Sequence, residues 1–313
     1  MIDRMVTTVI DADKCTGCGL CVEVCPSKTI SMVEGKAAIT GDWSLSCGHC
    51  AAVCPVEAIT VGAIDPDAER YATFTADPRL LPPGEFDTAQ LVRLMASRRS
   101  CRHFQVRPVE RALLEDLVRI GVTAPSGTNN QAWTFTILPD RASVEAFGER
   151  VARFFRALNR AAENPLLRNG LKLLGKRELA DYYANYYQSV SEALDEREKT
   201  GRDRLFHGAT AAIVVGARPG ASTPEEDSLL AVQNILLAAH AMGLGSCLIG
   251  FAVVVVAREI DVKRFLGIPD DERVHAVIAL GYSDETYLRA AGRKGYLQRY
   301  FKTTLSSGEG TRV

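Results

Sequence analysis

The stretch "CTGCGLCVEVCP", residues 15–26, carries four cysteines with the spacing Cys-x2-Cys-x2-Cys-x3-Cys, followed by a proline. A second run, "WSLSCGHCAAVCP" at residues 43–55, keeps three of these cysteines in register but has Ser44 at the first position. Thiolates at this spacing are typical ligands of iron–sulfur clusters. Two such runs, each followed by a β-prone segment, predict a small domain with internal pseudo-twofold symmetry.

The two runs predict two sets of cluster ligands. In two-cluster ferredoxins the fourth cysteine of each run ligates the other cluster. On that rule a 4Fe–4S cluster has a complete set, namely Cys15, Cys18, Cys21 and Cys54. The second set is Cys25, Cys47 and Cys50, with Ser44 in the fourth place.

The state of the second site stays open between three interpretations. Ser44 ligates iron through oxygen, one iron is absent and leaves a 3Fe–4S cluster, or the site is empty. A four-iron cluster with a non-cysteine ligand or a three-iron cluster is favoured. Zinc or free thiols are the alternative for the whole region, and the two Cys-Pro endings argue against them. Up to Ile59 the region resembles bacterial two-cluster ferredoxin modules.

Composition excludes few classes. The chain has 313 residues, of which 47% are apolar and 24% charged, and its net charge is −1. A near-neutral chain offers no bulk attraction to nucleic acid or to an anionic membrane. The sequence has no apolar run of about 20 residues, so it predicts no membrane-spanning helix. The first residues, "MIDRMVTTVIDADKC", carry acids where a signal peptide is apolar. We therefore expect a cytoplasmic protein with no nucleic-acid or membrane partner.

Changes in composition and periodicity along the chain predict three parts. They are a cysteine-rich domain at residues 1–64, a proline-containing connector at 65–87 and a larger domain at 88–313. Residues 142–206 are a predicted helical insertion in the larger domain. Its tyrosines at i, i+4 spacing indicate either core packing or a lid over an aromatic ligand. They are Tyr182, Tyr183, Tyr186 and Tyr187.

The clearest predicted helix covers residues 224–242. Thr223 is its expected N-cap, Glu226 completes a capping box, and Gly243 ends it. Apolar residues surround this helix, so both sides should be buried, one of them in a subunit interface. Strands are predicted at "WTFTIL" (133–138), "AAIVVGA" (211–217) and "VHAVIALGY" (274–282), a turn and then a helix at "FAVVVV" (251–256), and disorder at "SSGEGTRV" (306–313).

Two segments of the larger domain suit a phosphorylated heterocycle. "SRRSCRHFQVR", residues 97–107, puts four arginines and a serine in a short space, and arginine forks match phosphate oxygens. "APSGTNNQAWTF", residues 124–135, is a polar loop with amides that runs into an aromatic strand. Amide side chains can hydrogen-bond a planar ring.

With these segments the chain resembles the FMN-dependent nitroreductase family. The resemblance rests on "RRSCRHF", "APSGTNNQAWTF", "DSLLAVQNILLAAHAMGLGSCLIGF" and "ALGY…LRAAGRK", which occur in that order and cover roughly residues 88–295. It implies an α+β fold, with a ferredoxin-like iron–sulfur domain followed by a mixed sheet flanked by helices. It also implies an obligate homodimer with FMN at the interface.

The resemblance assigns roles by position. Arg98, Arg99, Ser100 and Arg102 match the phosphate-binding run, and Arg293 with Lys294 matches the basic residues that close on the same phosphate. Asn129 and Gln131 match the loop that hydrogen-bonds the isoalloxazine ring, and Ile249 and Gly250 match the segment near flavin N5. Two departures, Ala132 and Leu248, remove no ligand.

We therefore predict an oxidoreductase that passes electrons from the clusters to FMN and then to a small aromatic or nitro-type acceptor. No side chain is assigned a catalytic role, because flavin N5 carries the chemistry. The electron donor is expected to be a ferredoxin, a flavodoxin or NAD(P)H. The alternatives are an NAD(P)H-driven flavoenzyme that exports electrons through the clusters, and a non-catalytic redox carrier or sensor.

Overall fold

The structure is a computed structural model that describes residues 4–301, and the predicted disorder at 306–313 lies outside this range. Its strands are β1 (Thr8–Ile10), β2 (Ile30–Val33), β3 (Lys36–Ile39), β4 (Ile59–Val61), β5 (Trp133–Leu138), β6 (Ala211–Ala217), β7 (Gly245–Leu248) and β8 (Arg273–Gly281). Its helices are α1 (Leu20–Glu23), α2 (His49–Ala52), α3 (Thr88–Ser97), α4 (Arg111–Gly121), α5 (Arg141–Glu163), α6 (Pro165–Leu173), α7 (Glu178–Asn185), α8 (Tyr187–Thr200), α9 (Pro224–Ala241), α10 (Gly250–Arg258) and α11 (Ile260–Phe265). No helix in this range is long and apolar enough to cross a bilayer.

The N-terminal domain is built from two antiparallel strand pairs and two one-turn helices. β1 pairs with β4, β2 pairs with β3, and α1 packs against α2. Its small core combines cysteines with Ile30, Ala37 and Ile59. A core of this size gains little from apolar burial alone, so a bound cluster would contribute to its stability.

The larger domain contains a four-stranded sheet in the order β5-β6-β8-β7. All neighbouring strands pair antiparallel, and the parallel component is a bridge between Ser100 and Ser246. One core cluster joins the sheet to α5 and α10, and another joins its opposite face to α4 and α9. Every residue of β6 is buried because β6 is covered on both faces. The predicted α+β class and the three predicted strands are confirmed.

Most predicted features of α9 are confirmed. The helix begins after Thr223 and is followed by Gly243, whose φ of 80° requires the left-handed region that glycine favours. The predicted capping box with Glu226 is wrong. The Thr223 hydroxyl accepts no hydrogen bond from the first turn of the helix; it points instead to the Asp227 carboxylate and donates to it at 2.9 Å. Leu229 and Leu230 are exposed while the remaining apolar face is buried.

The valine run after Gly250 is helical from its first residue, and the predicted turn before the helix is absent. Ala252, Val255 and Val256 are buried against the sheet, so packing overrides the strand preference of valine.

The connector at residues 65–87 forms no helix or strand, yet it is anchored to α4. The buried Asp116 carboxylate accepts hydrogen bonds from the backbone N–H groups of Ala72 and Thr73 and from the Thr73 hydroxyl, at 2.7–3.0 Å. Tyr71 and Phe74 stack on one another with ring centroids 4.4 Å apart. The connector therefore has a fixed path over the larger domain.

Candidate functional site

The predicted ligands of the first cluster surround one cavity in the N-terminal domain. They are Cys15, Cys18, Cys21 and Cys54. The backbone N–H of Ala58 donates to the Cys54 sulfur at 3.2 Å, and N–H groups of Ala37 and Gly17 lower the pKa of Cys15. Such N–H groups stabilise the thiolate form that metal ligation needs. These four residues fit a 4Fe–4S cluster.

The predicted residues of the second site surround a separate cavity. They are Cys25, Cys47, Cys50 and Ser44. Ser44 is buried, and its hydroxyl oxygen accepts the Ser46 N–H at 3.0 Å. Burial raises the pKa of Cys25, but N–H groups of Thr29 and Ser27 outweigh it and lower that pKa overall. An oxygen therefore stands in the corner where the other cavity has a fourth sulfur.

The two cysteine loops have the same backbone path. Gly17 and Ser46 are 29 residues apart (46 − 17), and both have positive φ, 74° and 50°. Gly19 and Gly48, at the same offset, have φ of 79° and 78° and precede α1 and α2. Positive φ at the non-glycine Ser46 is strained, so the second loop keeps a ligand-loop conformation at some cost. The loop that begins at Ser44 therefore has the backbone conformation of the loop that begins at Cys15.

The arginine segment, residues 98–102, forms a positive cluster with Arg293. Burial, then the charges of Arg293 and Arg99, lower the pKa of Arg98. No ion pair within residues 4–301 joins Arg98, Arg99 or Arg293 to a carboxylate. Like charges held together without a counter-charge disfavour one another and are relieved by an anion. These side chains fit a phosphate group.

The remaining residues predicted to bind the phosphate differ in their exposure and in their hydrogen-bond partners. Ser100 lies beside Cys247 and pairs with Ser246 of β7, which fixes the segment to the sheet edge. Arg102 is exposed, and its backbone N–H donates to Glu285 at 2.9 Å. Lys294 is exposed next to Arg293.

The predicted segment near flavin N5 follows β7 directly. Ile249 is buried and donates its N–H to Val277 at 2.8 Å, which places Gly250 at the start of α10. A Cβ added at Gly250 would meet no atom of residues 4–301 within 4 Å. Open space therefore lies in front of this backbone, on the sheet edge that also carries Ser100.

The Asn129 loop, residues 127–132, is held in a strained conformation. Thr128, Asn129 and Gln131 have φ of 52°, 55° and 46°. The Gly127 N–H donates to Asp227 of α9 at 2.8 Å. Positive φ at three non-glycine residues is uncommon and is concentrated at functional sites.

The Asn129 loop contacts the N-terminal domain. The Asn129 amide donates to the carbonyls of Leu45 and Ser46 at 3.0 and 3.2 Å. Arg4 donates to the carbonyl and hydroxyl oxygens of Thr128 at 3.1 and 2.9 Å. A cleft of about 1120 Å³ opens beside these contacts, with Ser46 and Cys47 on one side and Asn129 to Ala132 on the other. Sequence reasoning missed Arg4 because nothing local marks a contact 124 residues away.

One protomer does not bring the two predicted halves of the flavin site together. Trp133 follows the Asn129 loop and begins edge strand β5. It pairs with Ala217 of β6, which in turn pairs with Arg273 of β8. Leu248 ends the opposite edge strand β7 and pairs with Ile278. Three strand spacings of about 4.8 Å and five residues of about 3.4 Å separate these positions by roughly 20 Å. Hydrogen bonds of about 3 Å to one ring system cannot bridge that distance.

Aromatic side chains of the insertion lie beside Gly250. Phe251 packs edge-on against Phe155 and Tyr186, with centroids 5.4 and 5.9 Å apart. Tyr182 packs into the core and donates its hydroxyl to Asn159 at 2.6 Å, whereas Tyr186 is half exposed. The tyrosine stripe therefore contributes both to core packing and to an aromatic surface, and its contact with Phe251 was not predicted.

A sequence profile of the nitroreductase family matches residues 95–282. The chain belongs to the nitroreductase family. Members of this family are FMN-dependent oxidoreductases, and the chain is a nitroreductase-family flavoprotein oxidoreductase. A 4Fe–4S binding domain profile matches residues 8–31, which adds an N-terminal iron–sulfur domain.

Named relatives share the larger domain. An NADH dehydrogenase from Thermus thermophilus is 28% identical over 189 residues, covering 60% of this chain and 84% of the relative. A 4-nitrobenzoate reductase from Pseudomonas putida is 27% identical over 204 residues, covering 61% and 85%. The crystal structure of a nitroreductase with bound FMN from Bacteroides fragilis aligns with a TM-score of 0.51 at 21% identity, covering 68% of this chain and 99% of that one. This last likeness supports the nitroreductase fold.

Proposed function

We propose that this nitroreductase-family chain takes single electrons into its iron–sulfur domain, passes them to FMN and reduces a small aromatic or nitro-type acceptor. The main support for this proposal is the contact of Asn129 with the loop before Cys47. It joins a predicted flavin-binding residue to a loop of predicted cluster ligands. When bound in this site, FMN would supply two-electron chemistry at N5 to a chain that receives electrons one at a time.

The arginine segment holds the FMN phosphate in this proposal. Arg98, Arg99 and Arg293 supply positive charge with no carboxylate paired to them among residues 4–301, and Ser100 adds a hydroxyl donor. The open backbone at Gly250 allows the ring to approach closely. Gln131 and the amide oxygen of Asn129 bind the ring edge. Both N–H groups of the Asn129 amide are already held by Leu45 and Ser46, and its oxygen accepts from Gln131 at 3.0 Å and keeps a second lone pair.

Both halves of the flavin site serve one ring only if they come from different protomers. The separation of roughly 20 Å within a protomer, derived from the strand spacings, supports a homodimer with FMN at its interface. Exposed apolar residues on the adjacent helices α3 and α9 suit such an interface. They are Leu91, Val92, Met95, Leu229 and Leu230.

The first cysteine set holds a 4Fe–4S cluster in this proposal. The second set holds either a four-iron cluster with Ser44 as a ligand or a three-iron cluster. The shared backbone path of the two loops supports an occupied second site over an empty one.

The acceptor binds against the aromatic surface beside Gly250. Phe251 is 38% exposed and Tyr186 51%, and together they offer ring faces to a planar molecule. A mostly apolar cavity of about 170 Å³ lies next to Phe251, between α5 and α8. Similarity to a relative named 4-nitrobenzoate reductase supports a nitroaromatic acceptor in this proposal.

Anaerobic stopped-flow reduction tests the electron route. A reduced low-potential ferredoxin should bleach the flavin rapidly in the wild type and slowly in a Cys50→Ala variant that retains FMN. Equal bleaching of both proteins by NADH at rates matching turnover would contradict entry through the clusters and favour the reverse direction. NADH is tested beside the ferredoxin because one relative is named an NADH dehydrogenase.

A screen of nitroaromatics, quinones and halogenated phenols tests the acceptor. Sustained turnover of one class under the low-potential donor is expected. No turnover of any class, with FMN bound and reducible, would favour a redox carrier or sensor.

A further inference from the structure

The two cysteine sets are not equivalent in their access to the larger domain. Cys47 lines both its own cavity and the cleft that faces the Asn129 loop. The cysteines of the first set line their own cavity and do not reach this cleft. Electrons leaving the N-terminal domain toward the larger domain therefore have their shortest exit at the second set.

The exit is fixed by hydrogen bonds rather than by loose contact. Asn129 holds the two carbonyls that directly precede Cys47, and Arg4 holds the neighbouring Thr128. Ser44 closes the same loop, since its hydroxyl accepts the Ser46 N–H. The loop that carries the altered cluster corner is the one docked on the larger domain.

The position of the Asn129 contact relative to the sheet decides whether it faces the flavin of its own protomer or that of the partner subunit. The Asn129 loop adjoins β5, while the arginine segment is bridged to β7 at the opposite edge. The end of β7, where the segment predicted to lie near flavin N5 begins, is therefore roughly 20 Å from the Asn129 loop of the same protomer, by the strand spacing and rise of the sheet. The ring that reaches the Asn129 loop must belong to a flavin held by the other protomer.

We propose that the iron–sulfur domain of each protomer reduces the flavin whose phosphate is bound by the arginine segment of the partner subunit. Cys47 is the last iron ligand on this route, and Asn129 is a positioning residue that keeps the cysteine loop against the ring. The inference rests on the proposed function and adds to it a direction across the dimer.

The electron balance is simple. A reduced ferredoxin-class donor loses one electron to the iron–sulfur domain, and the second cluster loses one electron to the flavin. Two such transfers and one proton from water account for one two-electron reduction of the flavin. The acceptor then re-oxidises it.

Heterodimers made of two defective protomers test the route. One protomer carries Arg98→Ala and Arg99→Ala, which remove the phosphate site but leave both cysteine sets intact. The other carries Cys50→Ala, which removes the second cluster but leaves the phosphate site intact. Different affinity tags allow the heterodimer to be purified, and iron and FMN contents verify each parent. Cys25→Ala, from the other repeat, replaces Cys50→Ala if that parent yields no folded protein.

The readouts are bound FMN and the rate of flavin bleaching by reduced ferredoxin without acceptor. The heterodimer should bind about half the FMN of the wild type, because one of two symmetry-related phosphate sites remains. That flavin should bleach at the wild-type rate, because it faces the intact cysteine set of the arginine-deficient protomer. The Cys50→Ala homodimer should bind FMN fully and lose the fast phase.

Two failures are distinguishable. Flavin in the heterodimer that bleaches as slowly as in the Cys50→Ala homodimer would overturn delivery across the dimer, while leaving cluster-fed reduction intact. Wild-type flavin that is not reduced by the ferredoxin at all would overturn the proposed function and this inference with it.

Discussion

Ser44 occupies the position that Cys15 has in the first repeat, in a loop with the same backbone path. A thiol at this position would find a corner already shaped for it. We predict that Ser44→Cys raises the iron content by about one atom per chain if the wild-type cluster has three irons. Anaerobic EPR should show the signal of an oxidised three-iron cluster in the wild type and its loss in the variant.

Ser31→Cys is the matched control for this substitution. Ser31 lies on β2 in the same domain but lines neither cavity. It should leave iron content and EPR spectra unchanged. Wild-type protein that already has four irons at the second site would contradict the three-iron cluster and favour an oxygen ligand at the fourth corner. Protein with iron at the first set only would contradict an occupied second site.

Arg98 is the half-buried member of the positive cluster, and its lowered pKa reflects burial and the neighbouring Arg293 and Arg99. A charge-assisted bond to phosphate is worth about 1.5–3 kcal/mol, so Arg98→Ala should weaken FMN binding roughly 10- to 150-fold. Quenching of FMN fluorescence during titration measures this. Arg111→Ala, whose side chain is 85% exposed on α4 and lies outside the proposed interface, is the control and should bind FMN as the wild type does.

At the scale of elements, α4 fixes the connector through one carboxylate. Asp116 is fully buried and accepts from Ala72 and Thr73, with Arg119 at 3.2 Å. Asp116→Asn should lower the free energy of unfolding by about 1–3 kcal/mol, because charged hydrogen bonds in a buried site are lost. Urea unfolding measures the change. Glu115→Gln, in a surface ion pair with Arg111, should change it by less than about 1 kcal/mol.

The same carboxylate gives a pH dependence with a definite sign. Burial raises the pKa of Asp116, but hydrogen bonds from Thr73 and Ala72 and the charge of Arg119 outweigh it and lower the pKa overall. Its stabilising contribution is therefore complete above the unfolded-state pKa of about 3.9 and is lost as pH falls through the folded-state value. The stability difference between wild type and Asp116→Asn should be constant at neutral pH and shrink below about pH 4. A difference that grows on acidification would contradict this assignment.

The insertion meets the predicted flavin edge through Phe251. Phe251→Ala removes the ring that Phe155 and Tyr186 contact edge-on. We expect a higher KM for aromatic acceptors, with FMN affinity unchanged, because the residue lies beside the ring site and not at the phosphate. Steady-state kinetics with a nitroaromatic and with a small non-aromatic acceptor separates these effects. Val254→Ala, equally exposed on α10, is the control.

Local patterns predicted these elements where one physical preference dominated. β6 is a run of small and β-branched residues and is buried along its whole length, and α9 has proline at its first position and glycine after its end. The pattern failed where tertiary packing decided. The valines of α10 are helical because their neighbours bury them, and Thr223 turned to a carboxylate that the capping pattern does not include.

At the scale of the whole molecule, the sequence predicted which residues belong to each site but not how the sites are arranged. The cysteine spacing alone grouped the residues that surround each cavity. Ligand spacing is a local property, so it can be read without a fold. The docking of Asn129 on Leu45 joins residues 84 positions apart, and the sheet order sets β5 and β7 at opposite edges. Neither is encoded in a local pattern, so neither was predicted.

The shared flavin site of this proposal depends on a dimer interface. Leu230 is 45% exposed on α9, beside the apolar residues of α3. Leu230→Asp would place an unpaired charge in an apolar interface, which is strongly destabilising for association. Analytical ultracentrifugation should show a shift from dimer to monomer, with a parallel loss of bound FMN. Leu173→Asp, 89% exposed on α6, is the control and should change neither. A monomer that still binds FMN with wild-type affinity would contradict a site shared between protomers. A dimer that survives Leu230→Asp would place the interface elsewhere, because a C2 contact repeats the unpaired charge on both subunits.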